Sequence, residues 1–347
     1  MSFNIKQIGI GNEYCPLVIP EIGINHGGKL DVAIQMVDAA YRAGARLVKH
    51  QTHVIDDEMS CAAKNVIPGN SVKSIYDVMA ECALNEEEEK ELMEYVESKG
   101  MVFISTPFSR AAAKRLEKFN VAAYKIGSGE MNNLPLIDHI ASYGKPMIIS
   151  TGMNNIESIK RTVDVVDKKG TPFALLHTTN LYPTVPEFVR LGAMQEIMKE
   201  FPDVPVGLSD HTLNNNACIG AVALGACIVE RHFTDIMDRE GNDIICSMDE
   251  SELRELLQAV KEVWLMRGGK KEALQEEQVT IDFAFATVVS TDNIMKGDVL
   301  TYDNIWVKRP GTGQILAAEY DKLIGKKVKM NIPKDIHLTY EMIDNEE

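Results

Sequence analysis

"VPVGLSDHTLNNNACIGAVALGACIVERH", residues 204–232, decides how the fold is read. Two apolar runs, "VPVGLSD" (204–210) and "ACIVERH" (226–232), each hand over to a polar end carrying a histidine, His211 and His232. The two histidines are 21 residues apart, the length of one strand–helix unit, so they fall at the C-terminal ends of neighbouring strands. The same rhythm recurs upstream in "PLVIPEIGI" (16–24), "ARLVKHQ" (45–51), "MVFISTP" (101–107), "AAYKIGS" (122–128), "KPMIIST" (145–151) and "PFALLHTTN" (172–180). Amphipathic stretches such as "LDVAIQMVDAAYRAG" and "LPLIDHIASYG" separate these runs, and "ESELRELLQAVKEVWLM" follows the last of them. Parallel neighbours need a crossover, and eight such units in about 250 residues predict an α/β fold, a closed (β/α)8 TIM barrel. An open doubly wound sheet is the alternative, weakened because no glycine-rich dinucleotide fingerprint follows the first run.

The barrel is expected over residues 1–266, a polar linker "RGGKKEALQEEQVTID" over 267–282, and a small β-rich module over 283–347. The module reads as short strands and turns in "FAFATVVST", "IWVKRPGTG" and "LIGKKVKMNI". The acidic run "NEEEEKELMEYVES" (85–98) reads as a solvated helix capped by Asn85, with Leu92, Met93 and Val96 as its buried stripe.

The 347 residues are 45% hydrophobic, enough for a large core, and carry a formal charge of −15. That charge argues against nucleic acid or an anionic membrane surface as partner, though not against a small anion held by local cations. The six scattered cysteines form no CxxC pair, which suits free thiols in a reducing compartment. "MSFNIKQIGIGNEY" lacks the layout of a signal peptide, and no apolar run approaches the roughly 20 residues of a membrane span. A cytoplasmic protein is expected.

In this barrel class the chemistry sits at the C-terminal strand ends. Those ends offer Glu21, Asn25 and His26; Lys49 and Gln51, which share a face while His50 points outward; Thr106 and Phe108; and Lys125, Ser128 and Glu130. Ser150, Asn180, Tyr182, Ser209, His211 and His232 complete the ring. Two lysines in one mouth need counter-charge. It comes either from a phosphate or carboxylate ligand, with the neighbouring hydroxyls helping, or from glutamates such as Glu21 and Glu130. The histidine pair is either structural or a two-ligand metal site that leaves coordination positions for substrate.

Taken together, "EIGINHGG", "VKHQTH", "ISTPFS", "YKIGSGE", "STGM", "GLSDHT" and "ERHFT", with "VKRPGTG" near the C-terminus, resemble the bacterial sialic acid synthases (N-acetylneuraminate synthases) across nearly the whole chain. The resemblance implies a TIM barrel with a C-terminal antifreeze-like (SAF) domain. It implies condensation of phosphoenolpyruvate with N-acetylmannosamine, or in sister enzymes with a 2,4-diacetamido-trideoxy hexose that leads to legionaminic or pseudaminic acid. It assigns a divalent cation, manganese with magnesium or cobalt as substitutes, to His211 and His232. Phosphoenolpyruvate would meet Lys49, Thr106, Lys125, Ser128, Ser150, Asn180 and Ser209. The sugar would meet Gln51, Asn70, Phe108, Glu130, Tyr182, Asp243 and Phe283.

The resemblance further implies a domain-swapped homodimer in which Arg309 reaches the sugar of the other copy. The linker permits this, because about 16 extended residues span roughly 50 Å at about 3.3 Å each. Glu21 is the expected proton-handling group, with a salt bridge to Lys49 as its other reading. The chain departs from the family's usual Gly-Pro-Asp in "GND" (241–243), which puts the loop that aims Asp243 in question. Two other classes compete. A metal-dependent hydrolase on this fold would carry an HxH pair on the first strand, where this chain has one histidine; a sugar-binding protein would favour aromatic platforms, yet aromatics are 6% of the chain.

Overall fold

The computed structural model describes residues 2–69 and 71–344, so Asn70, expected among the sugar contacts, lies outside the described residues. The chain divides into two compact units, Met1–Gly268 and Gly269–Glu347.

The first unit opens with an antiparallel hairpin, β1 (Phe3–Ile5) and β2 (Ile8–Ile10). Eight parallel strands follow: β3 (Leu17–Gly23), β4 (Leu47–Thr52), β5 (Val102–Pro107), β6 (Tyr124–Ile126), β7 (Met147–Ser150), β8 (Phe173–Thr178), β9 (Val206–Asp210) and β10 (Ile228–His232). They close into a barrel in which β10 pairs with β3. The connecting helices are α1 (Leu30–Ala43), α2 (Ile55–Glu58), α3 (Ile75–Cys82), α4 (Glu86–Ser98), α5 (Arg110–Lys118), α6 (Leu134–Ala141), α7 (Ile156–Lys169), α8 (Leu191–Glu200) and α9 (Asn216–Ala223), with α10 (Glu250–Met266) after the last strand.

Side-chain alternation sorts each strand into two faces. The outward set, including Val48, Phe103, Ile149, Leu175 and Val229, packs in one cluster with the helices. The inward set is apolar near the strand starts: Leu17, Ile19, Leu47, Val102, Ile104, Ile148, Ala174, Leu176 and Ile228 form a second cluster. Ile5, Ile8 and Ile10 of the hairpin are fully buried against that cluster. The hairpin was not foreseen, because "FNI" and "IGI" are too short to announce strands until a barrel interior gives them something to cover. On the same faces, one step further along, come Glu21, Lys49, Thr106, Lys125, Ser150, Glu230 and His232, all buried. A dry floor therefore sits directly beneath a polar mouth.

The acidic helix α4 begins as expected, with Asn85 as cap and Glu88 reciprocating in a capping box. Its reading as a solvated face needs one correction. Glu89 is fully buried, three and four residues ahead of Leu92 and Met93, and so belongs to the inward stripe. It accepts hydrogen bonds from Arg115 at 3.0 Å and from Thr52, and faces His50 Nδ1 at 3.2 Å. Burial alone would raise this carboxyl; those partners hold it below the usual glutamate range.

In the second unit β11 (Thr287–Ser290) and β12 (Ile305–Lys308) pair antiparallel. Val288, Ile294, Leu300, Ile305, Ile315, Val328, Ile332 and Leu338 form its own core. The stretch read as linker carries a helix at its end, α11 (Gln278–Ala284). Among the described residues no helix is long and apolar enough to cross a membrane.

Truncating the plug tests this account of the barrel floor. Ile8→Ala should lower the stability of the first unit by about 2–5 kcal/mol, read as a fall in the urea midpoint with an unchanged slope.

Candidate active site

The polar mouth is organised around Glu230, which the sequence reading did not single out. Its carboxylate lies 3.4 Å from Lys49 Nζ and 3.6 Å from Lys125 Nζ, and accepts from Ser209 Oγ at 3.2 Å. Alternation could have found it, because Glu230 precedes His232 by two residues and so shares its inward face. Lys49 also pairs with Glu21, its cross-strand neighbour. Lys125 donates to Ser150 Oγ at 2.6 Å and to Ile126 O at 3.1 Å. The glutamate reading of the lysines therefore holds in part: Glu21 serves Lys49, but Lys125 takes Glu230 rather than Glu130.

Burial sets the electrostatics. It lowers the Lys49 ammonium to about 7 against the pull of Glu230, with Lys125 adding to the depression. Lys125 is lowered by the same cause. Burial would raise Glu230, but Lys125 and Lys49 hold it below its ordinary value. At Glu130 burial outweighs the weaker pull of Lys125 and pushes the carboxyl up to about 7.

His211 and His232 converge as expected, with ring centroids 5.3 Å apart, and Tyr182 stacks on His211 at 4.2 Å. His211 Nδ1 faces the Thr179 carbonyl at 2.8 Å, so the hydrogen sits there and Nε2 keeps a free lone pair. Burial lowers both imidazoles to about 3, so both are neutral. His232 Nδ1 is buried without a hydrogen-bond partner, 3.9 Å from Asp243 Oδ2. Thr106 Oγ1 and Glu230 Oε2 are also buried and unpartnered. Asn180 Oδ1 is orphaned in the same mouth. Such atoms cost about 1–3 kcal/mol each, and a cluster of them marks a ligand-binding surface. No group of three or more His, Cys, Asp or Glu side chains suited to a metal occurs among the described residues.

Around this centre Gln51 Nε2 donates to Glu21 Oε1 at 3.1 Å. Gly23 makes room for that contact: its φ is 46°, and a Cβ there would come within 3.1 Å of both groups. Ser128 Oγ accepts from the Gly152 amide at 3.1 Å, and a Cβ on Gly152 would collide with Asn180 Oδ1. Phe108 stacks on His53 at 4.4 Å. Asn25 does not join the mouth chemistry; its amide donates to Phe233 O and Ser247 Oγ, both at 2.9 Å, and braces the loop that carries Asp243. Phe283 and Arg309 are exposed residues of the second unit, brought together there by the Gly311 N–H to Asp282 O hydrogen bond of 2.7 Å.

A sequence model described as the NeuB family matches residues 36–272, and one described as the SAF domain matches 285–344. The chain belongs to the NeuB family. It is a sialic or nonulosonic acid synthase of that family, joined to a SAF domain. N,N'-diacetyllegionaminic acid synthase of Legionella pneumophila is 33% identical, covering 99% of this chain and 100% of that one. Human N-acetylneuraminate-9-phosphate synthase is 32% identical over 97% and 95%. Among solved structures, the N-acetylneuraminic acid synthetase of Leptospira borgpetersenii in complex with citrate is similar at a TM-score of 0.74 and 28% identity, over 81% of this chain and 95% of that one.

Glu130 gives this NeuB-family mouth a pH signature. Its folded carboxyl titrates near 7 and the reference value is 4.5, so between these the folded state keeps a proton that the unfolded chain has lost. Stability contributed there falls as pH rises from about 4.5 through 7. Urea unfolding at pH 5 and pH 8 should show wild type losing stability relative to Glu130→Gln; parallel curves would contradict the assignment.

Proposed function

We propose that the chain condenses phosphoenolpyruvate with N-acetylmannosamine and water, giving N-acetylneuraminate and inorganic phosphate. The observation that carries this reading is the pair of buried ammoniums around Glu230, set beside two neutral imidazoles and unpartnered polar atoms. It gives an acidic protein one local site for a small dianion or trianion.

In this reading Lys49 and Lys125 take the carboxylate and phosphate of phosphoenolpyruvate, with Thr106, Ser128, Ser150, Asn180 and Ser209 supplying hydrogen bonds. Neutralising both charges lets the methylene carbon attack the aldehyde carbon of the open-chain sugar. The new bond leaves an oxocarbenium-like centre at C2. Water adds there, one proton passing by way of Glu21 to the new alkoxide oxygen. The C–O bond to phosphate then breaks as the C2 ketone forms and phosphate carries off the second proton. Gln51, Phe108, Glu130, Tyr182 and Asp243 hold the acceptor. His211 and His232 suit a divalent cation, manganese first, because both are neutral, His211 presents Nε2, and His232 Nδ1 is unpartnered. Such a cation supplies Lewis-acid polarisation of the aldehyde oxygen. We include in the proposal a domain-swapped homodimer, in which Phe283 and Arg309 serve the sugar site of the other copy.

A second acceptor is a 2,4-diacetamido-trideoxy hexose. It is favoured by 33% identity to N,N'-diacetyllegionaminic acid synthases of both Legionella pneumophila and Campylobacter jejuni. Asn242 beside Asp243 alters the same loop. A phosphorylated acceptor fits less well. The cavity of about 580 Å³ next to that loop is lined by Glu81, Glu240 and Lys73, and Lys73 is spent on Glu81 at 2.6 Å.

The test is phosphate release from phosphoenolpyruvate across both amino sugars, with products read by mass spectrometry. Release should require an amino sugar and stop with a chelator. His211→Ala should lose turnover and metal binding while keeping its circular dichroism spectrum. Release without any sugar, or full activity in His211→Ala, would contradict the reading.

A further inference from the structure

His53 belongs to no role assigned so far, yet it is buried at the edge of the mouth, one residue past β4. Its Nδ1 lies 2.8 Å from Glu58 Oε2 and its Nε2 lies 3.2 Å from Gln51 Oε1. The ring stacks on Phe108 with planes 14° apart. Glu58 is in turn carried by α2, which is tied to α5 by the Ala111 amide donating to Asp57 at 2.7 Å. The imidazole is therefore clamped on three sides, by Glu58, Gln51 and the Phe108 ring.

An amide side chain can face its neighbours in two ways, and the hydrogen-bond network selects one. Ionised Glu21 only accepts, so Gln51 must turn its NH2 toward Glu21 and its carbonyl oxygen away. That carbonyl then faces His53 Nε2 while the Glu58 carboxylate faces Nδ1; both neighbours accept, so the network closes with a ring that donates from both nitrogens. Replace the donor and the choice is released. Gln51 could then turn its oxygen to the Glu21 carboxylate, a repulsive contact; Glu21 is held by Lys49, so Gln51 is the group that swings away.

We infer that His53 is a positioning residue for the acceptor half of the site, orienting Gln51 so that its amide donates to Glu21. The inference rests on the proposed condensation. Its action runs through Gln51, while Glu21 stays tied to Lys49 and the lysine centre keeps its place. Loss of the imidazole donor therefore weakens use of the sugar and leaves use of phosphoenolpyruvate intact.

The experiment compares wild type, His53→Phe, His53→Gln, Gln51→Leu and the His53→Phe/Gln51→Leu double variant in steady-state phosphate release. His53→Phe keeps a ring against Phe108 and loses the donor. It should lower kcat/KM for the amino sugar at least about tenfold, while KM for phosphoenolpyruvate stays within about twofold. His53→Gln, which retains an N–H donor, should recover to within about threefold of wild type. Adding His53→Phe to Gln51→Leu should cost less than about twofold more, as expected of residues acting as one unit. An unchanged sugar kcat/KM in His53→Phe, or losses that multiply in the double variant, would overturn the inference. A wild-type protein that turns over neither sugar would instead remove the functional reading on which it rests.

Discussion

One buried carboxylate, Glu230, lies between two buried ammoniums, and the rest of the mouth follows from that arrangement. Lys49 and Lys125 reach it from different strands, β4 and β6, and it is the carboxylate they share. Burying an unpaired ammonium costs several kcal/mol, and breaking a buried pair by removing one partner costs about 3–5 kcal/mol. The apolar floor of Leu17, Ile19, Leu176 and the hairpin isoleucines supplies the low-dielectric base that makes the pairing matter. Ser209 and Ser150 add hydrogen bonds to the same centre. In the proposed reading an anionic substrate would exchange places with these carboxylate interactions rather than fill an uncharged hole.

The mouth divides into two halves with different physics. On one side, lysines and hydroxyls converge on a place suited to phosphate and carboxylate oxygens. On the other, Gln51, His53, Phe108 and Glu130 form a wall of hydrogen-bonding and ring surfaces, suited to a neutral sugar. The histidine pair and Asp243 join the two. In the proposed reading the first half takes phosphoenolpyruvate and the second takes the acceptor sugar.

Much of this was legible in the chain because a barrel turns sequence period into geometry. The 21-residue spacing of one strand–helix unit set His211 beside His232, and strand alternation put Lys49 and Gln51 on one face. It would also have delivered Glu230, had the residue two before His232 been followed inward. Glu89 was misread for a related reason: four consecutive glutamates look solvated until helical spacing places the last of them in the stripe of Leu92, Met93 and Val96. The Glu58–His53–Gln51 chain was not legible at all. It depends on a short helix bringing a carboxylate back toward the strand end, which no local period encodes. Phe283 and Arg309 came from the family resemblance alone, since nothing in their own segments marks a sugar contact.

The most direct measurement is calorimetric titration of phosphoenolpyruvate, without sugar, into the wild-type protein and into Lys125→Met. The account predicts one site per chain in wild type and a loss of at least about a hundredfold in affinity in the variant, since the methionine keeps the volume but removes one of the two charges. Equal affinity in the two proteins would contradict it.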